Sequence, residues 1–196
     1  MKPKAIRLLV LTALCSGACL QAADSYNIDP VHSSVGFSVS HMVISNVKGK
    51  FNEFSGQIVL EGNALKEAKG VIQTKSVDTG NSGRDNDLRS PNFFDVAKYP
   101  TITFESKRVD KKGDQTVLVG DYTMHGVTKE LSLPIKLKGP VKDPWGNTRI
   151  GLQASAKVSR KDYGMTYNKA LETGGLVVGD EVEIEINAEA TKAAAK

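Results

Sequence analysis

The sequence predicts an all-β protein, an eight-stranded antiparallel barrel with a short helical insertion. Three observations predict it. From Tyr26 onward, short runs of alternating apolar and polar residues are separated by Gly, Pro, Asn or Asp, the spacing of a sandwich or barrel. Roughly eight such runs each present one apolar face, which implies a single enclosed interior, and at that strand number a closed barrel can hold a small ligand. One stretch, Arg84 to Phe104, breaks the alternation with a paired Phe93-Phe94 among charges and two prolines, and reads as an insertion.

In chain order, Val35, Phe37 and Val39 share one face of the first clear strand. Phe51 lies out of phase with Phe54, Gly56, Ile58 and Leu60, so the register shifts near Asn52 or Glu53, as a β-bulge would shift it. Val71 to Val77 forms another short strand, and Thr101 to Ser106 turns Ile102 and Phe104 inward. Leu118, Tyr122 and Met124, then Leu131, Leu133, Ile135 and Leu137, form the two arms of a hairpin around His125-Gly126. Pro134 lacks a donor, which places it at an edge or a bulge with its ring outward. After a turn at 143–147 comes the inward row Ile150, Leu152, Ala154, Ala156 and Val158, and Val182, Ile184 and Ile186 make the last one. The Ala-rich tail from Ala188 is expected to fray.

The N-terminus reads as a secretory signal over residues 1–22, with the folded domain over 23–196. Lys2, Lys4 and Arg7 precede the apolar run Leu8 to Leu20, and the small residues Ala22 and Ala23 follow. That run is too short for a stable transmembrane helix. Acylation at Cys19 is a weaker alternative, because Ser16 stands where such signals usually carry Leu. Both cysteines, Cys15 and Cys19, lie in the signal, so the mature chain is expected to lack a disulfide framework and any Cys-based metal site or nucleophile. Removing three basic residues and no acidic ones takes the formal charge from +4 to +1. The basic balance is therefore no indication of a nucleic-acid partner.

Within the insertion, Ser82 is placed to cap a helix over Arg84 to Arg89 that Pro91 interrupts, with a second helical turn over Asn92 to Lys98. Such helices would set Leu88, Phe93 and Phe94 over the interior, either as a lid or as a plug. Small inward residues, Gly120, Ala154 and Ala156, alternate with Phe37, Phe104, Tyr122 and Leu152, a pattern that suits a packed core or an apolar slot. His32, His41 and His125 show no metal-ligand spacing, and Asp29, His32 and Ser33 are neighbours that a strand would point apart. No catalytic set, metal site or cofactor motif is expected. The loop Arg160 to Tyr163 is either a plain exposed loop or a contact for an anionic head group.

The chain resembles the YceI-like family of secreted bacterial proteins. The resemblance rests on Asp29-Pro30-Val31-His32-Ser33-Ser34-Val35 with Phe37 and His41, Gly49-Lys50-Phe51, Phe54-Ser55-Gly56, Arg84-Asp85 with Leu88, Phe93-Phe94-Asp95, Tyr99-Pro100, Gly120, His125-Gly126-Val127-Thr128, Arg160 to Gly164, and Gly179-Asp180-Val182. It departs at Asn86-Asp87, where many relatives carry a histidine before the leucine. The resemblance implies a lipocalin-like barrel exported to the periplasm, often dimeric, that binds a polyisoprenoid or similar amphiphilic lipid. The tail would lie along Phe37, Phe54, Phe104, Tyr122, Met124, Leu152 and Ala154 under Leu88, Phe93 and Phe94, with Arg84 or Arg89 meeting the polar head. Alternatives are an enzyme acting on such a lipid through a histidine base, and a solid-core, stress-related interaction protein.

Overall fold

The computed structural model describes residues 23–172 and 174–194, so the expected export signal over residues 1–22, with Cys19, lies outside the described residues. Its strands are β1 (Ala23–Ile28), β2 (Ser34–His41), β3 (Ser45–Phe51), β4 (Phe54–Glu61), β5 (Ala64–Gln73), β6 (Val77–Asp78), β7 (Thr101–Lys112), β8 (Gln115–Met124), β9 (Val127–Lys142), β10 (Thr148–Ser159) and β11 (Val178–Lys192). The single α-helix among the described residues, α1, covers Ser82–Arg89.

Six of these segments are halves of three bent strands, which leaves eight strands in a closed antiparallel barrel. The first bend lies between β1 and β2, where Pro30 opens a 3-10 turn and the Asp29 side chain accepts from the Val31 N–H. Both halves run along β11, β1 against Lys192 to Ala190 and β2 against Asn187 to Val178. The second bend, at Asn52-Glu53, accounts for the phase change at Phe51: the strand breaks between β3 and β4 where a bulge was expected. The third is a 3-10 turn, Thr74–Ser76, between β5 and β6. The last two bends are tied together, since Ser76 accepts the Asn52 N–H at its carbonyl and the Glu53 N–H at its hydroxyl.

Several expectations are corrected. The strand expected at Val71 begins at Ala64 and ends at Gln73. The helix in the insertion is capped by Asn81, whose side chain accepts from the Arg84 N–H, and Ser82 is inside it. Residues 92–98 form a chain of turns and no second helix, with Asp95 in the left-handed region at φ 45°. The Ala-rich tail does not fray at Ala188. Ala188 and Ala190 are buried, and β11 pairs with β10 on one side and β1 on the other. Alanine gives no amphipathic signal, yet its small volume suits the tight end of the barrel. Pro134 is exposed and lies just beyond the last β9–β10 pair, Ile135 with Ala154, as its missing N–H requires.

The interior divides along its length. At the lower end, where the β4–β5, β7–β8 and β9–β10 turns lie, Tyr26, Ile58, Leu60, Leu118, Ile150 and Ala190 pack into a solid core. At the upper end a second cluster holds Phe51, Val77, Ile102, Tyr122 and Met124. Here the β2–β3 and β8–β9 hairpins, the insertion and the loop before β11 surround the mouth.

Candidate functional site: an apolar cavity under the insertion

The upper half encloses a cavity of about 190 Å3. Its existence follows from where side-chain volume is missing. Ala68 and Gly70 form the β5 part of the wall; Gly56 lies opposite Gly70 in the β4–β5 register, where the Ile28 side chain takes the space beside it. Across the barrel Ala154 and Ala188 keep the β10–β11 wall low. Phe37, Phe54 and Phe104 point inward by strand phase yet are only half-buried, because they border open space.

Ten of the twelve residues expected to touch a ligand line this cavity. Phe37, Phe54, Phe104, Tyr122, Met124, Leu152 and Ala154 supply its walls, and Leu88, Phe93 and Phe94 cover it. The cover is fixed by aromatic contacts: Phe94 meets Phe51 edge-on with centroids 5.6 Å apart, and Phe93 meets Tyr167 at 5.3 Å. Arg84 and Arg89 are not among the lining residues. Arg84 donates to the Thr79 hydroxyl at 2.8 Å and its carbonyl at 3.1 Å, and Arg89 donates to the carbonyls of Lys75 and Val77, both at 2.7 Å. Buried Asp85 accepts from the Thr79 N–H and hydroxyl. These charges clamp the insertion to the barrel beside β6.

The sequence did not single out Ala68 and Gly70 as a wall, although their inward phase with Ile72 was the available signal. Gly120 and Ala156 do not line the cavity. A Cβ on Gly120 would sit 2.2 Å from the Glu105 carbonyl oxygen, so that glycine serves a close strand approach at the β7 irregularity.

The electrostatics are one-sided. Lys69 and Arg160 are the charged members of the lining. Arg160 is no head-group contact: it is buried and donates to the carbonyls of Met165 at 2.7 Å, Tyr167 at 2.8 Å and Gly179 at 2.9 Å, organising the loop before β11. Burial lowers its pKa, against the pull of Asp180. The Tyr122 hydroxyl has the Met124 sulfur as partner at 3.4 Å, and burial pushes its pKa up. A thioether is a weak acceptor, so this hydroxyl is the polar handle in an otherwise apolar wall.

None of the three histidines lines the cavity. His125 turns Nδ1 to the Tyr163 carbonyl and packs against Tyr99 with the rings tilted and centroids 4.3 Å apart. His32 sits at the first bend, 2.8 Å from Asp29, and these two with Glu189 are close enough to share a cation. The cation in this cluster is the Arg149 guanidinium, which donates to Asp29 at 3.0 Å and to Glu189 at 2.6 Å.

The YceI-like domain profile matches residues 26–190. A UPF0312 protein of Staphylococcus aureus (strain N315) is 34% identical over 170 residues, covering 84% of this chain and 96% of that relative. The crystal structure of the Campylobacter jejuni YCEI protein superposes with a TM-score of 0.68 at 31% identity, covering 79% of this chain and 90% of that one. At 20% identity, a polyisoprenoid binding domain from Saccharophagus degradans, implicated in plant cell wall breakdown, shares the fold with a TM-score of 0.65, covering 86% of this chain and 98% of that one. A hollow eight-stranded barrel under a helical cover, matched by that profile over nearly all of its described length, places this chain in the YceI-like family.

Proposed function

We propose that the protein is a carrier or scavenger of a long-chain isoprenoid or a similar amphiphilic lipid, exported to the periplasm by residues 1–22. The observation that carries this reading is the cavity itself: apolar walls and a cover of Leu88, Phe93 and Phe94, with Arg160 held by backbone carbonyls and exposed Lys69 on the outward phase of β5. The description of the Saccharophagus degradans domain as polyisoprenoid binding supports the same ligand class. Each buried CH2 contributes about 0.8 kcal/mol, so roughly ten of them approach micromolar affinity without a specific polar contact. The cavity argues against the solid-core alternative. A histidine-based enzyme is disfavoured by the position of all three histidines outside the lining. A homodimer belongs to the same reading, by resemblance to the family.

The test is native mass spectrometry and organic extraction of protein purified from periplasm. A co-purifying lipid, or uptake of an isoprenoid quinone or prenyl phosphate by stripped protein, is the expected result. Protein that carries nothing and takes up neither overturns the reading.

A further inference from the structure

Two hairpins turn at the open end of the barrel, and they treat the same backbone geometry differently. In the β8–β9 turn the left-handed positions are His125 (φ 52°) and Gly126 (φ 75°), residue types that tolerate that region. In the β2–β3 turn they are Met42 (φ 52°) and Val43 (φ 63°), closed by the Ile44 N–H donating to the His41 carbonyl. Both central residues at positive φ define the turn that favours Asn-Gly, and a β-branched residue there is strained. Packing recovers little of that cost: Val43 is 72% exposed and touches Gly175 only with its Cγ2, Ile44 is 81% exposed, and Met42, the most covered of the three, is still 38% exposed. Three consecutive apolar side chains thus project into solvent on a turn whose conformation disfavours two of them.

Their position is informative. Val39, three residues before Met42 on β2, lines the cavity. The Met42 N–H donates to the Val177 carbonyl at 2.8 Å, which joins the hairpin to the loop before β11 beside the mouth, and Val178 of that segment also lines the cavity. Exposed Lys169 lies on this loop, its carbonyl accepting from the Val177 N–H at 3.0 Å. Exposed Lys48 lies on β3, about 13 Å beyond Ile44 at the rise of a strand. Neither lysine has an ion-pair partner among the described residues, while Glu172 adds one acidic group to the same loop.

We propose that Met42, Val43 and Ile44 form a membrane-docking tip that inserts into the interfacial layer of a bilayer and brings the cavity mouth against it. A protein partner would need a concave apolar pocket to receive so narrow a projection, whereas a lipid interface adapts to it, and the flanking lysines suit anionic head groups. With only two unpaired cations and a nearby carboxylate, the apolar tip dominates and added salt weakens the contact only modestly. Docking goes beyond the carrier reading and stands separately from it, because it is measured on protein stripped of any bound lipid.

The test is co-sedimentation with vesicles of equimolar phosphatidylethanolamine and phosphatidylglycerol, using the parent, the double variant Met42→Asn with Val43→Gly, and Ile44→Asp. The Asn-Gly turn relieves the backbone and keeps the N–H that bonds Val177, so its unfolding midpoint should rise while its vesicle affinity falls about tenfold or more. Ile44→Asp should lose affinity to a similar extent with little change in unfolding midpoint. A parent protein that stays in the supernatant overturns the proposal and leaves the tip to a protein partner. So does an Asn-Gly variant that binds vesicles as tightly as the parent.

Discussion

The ring of Phe94, on the insertion, meets the ring of Phe51, at the end of β3, edge-on with centroids 5.6 Å apart. This contact joins the cover of the cavity to its wall. Phe94 is half-buried and borders the hollow, so truncating it opens the mouth and leaves no sealed void. Phe94→Ala should cost less stability than the roughly 3–5 kcal/mol of an enclosed phenylalanine. Lipid dissociation should accelerate by a larger factor than unfolding does. Denaturant melts and a ligand-release assay on the same variant compare the two; a large stability loss with unchanged release would make the insertion a plug.

Gly70, in the wall, and its register partner Gly56 separate space from strain. A Cβ on Gly70 has only the Ser55 carbonyl oxygen nearby, at 3.7 Å, an ordinary contact. A Cβ on Gly56 would lie 2.6 Å from the Lys69 carbonyl oxygen and 2.7 Å from the Ile28 Cδ1. Gly70→Val should therefore fold and exclude ligand by filling the cavity. Gly56→Ala should be destabilised by about 1–3 kcal/mol, as overpacking typically is. Unfolding curves and lipid content of the two purified variants check both statements.

Acid should loosen the lower end of the barrel first. Asp29 is held at about 2, mainly by hydrogen bonds from His32 and Arg149, and Asp143 at about 2 by Asn147 and Arg149. Both lie below the ordinary value of 3.8. A carboxyl depressed in the folded state contributes stability that is complete above its unfolded pKa and is lost as pH falls through its folded one. The unfolding midpoint should accordingly drop between about pH 4 and about pH 2, and Asp143→Asn should flatten that limb. A pH profile identical to the parent's would remove Asp143 from the account.

Alternation along the chain made the barrel legible, because inward and outward positions alternate in every long strand. Phe93 and Phe94 were legible as a cover for the opposite reason, since they break that period. The three bends were not. A strand that bends keeps its apolar pattern, and the bends at Asn52-Glu53 and Thr74–Ser76 depend on bonds between residues over twenty positions apart. The clamping role of Arg84 and Arg89 was not legible because charge in a sequence does not reveal its partners, and theirs are a hydroxyl, an amide side chain and backbone carbonyls. The small-residue wall was not legible because Ala68 and Gly70 border a void only once β5 runs back to Ala64 and is set against β4.

The packed lower half and the hollow upper half divide the labour of the chain. Residues that sustain folding, such as Tyr26, Leu60 and Ile150, are a separate set from those that surround the cavity's mouth, such as Phe37, Leu88 and Phe94. Substitutions around the mouth can reshape the hollow while the foundation stays intact. This architecture gives a lineage room to change what the barrel holds without reinventing how it folds.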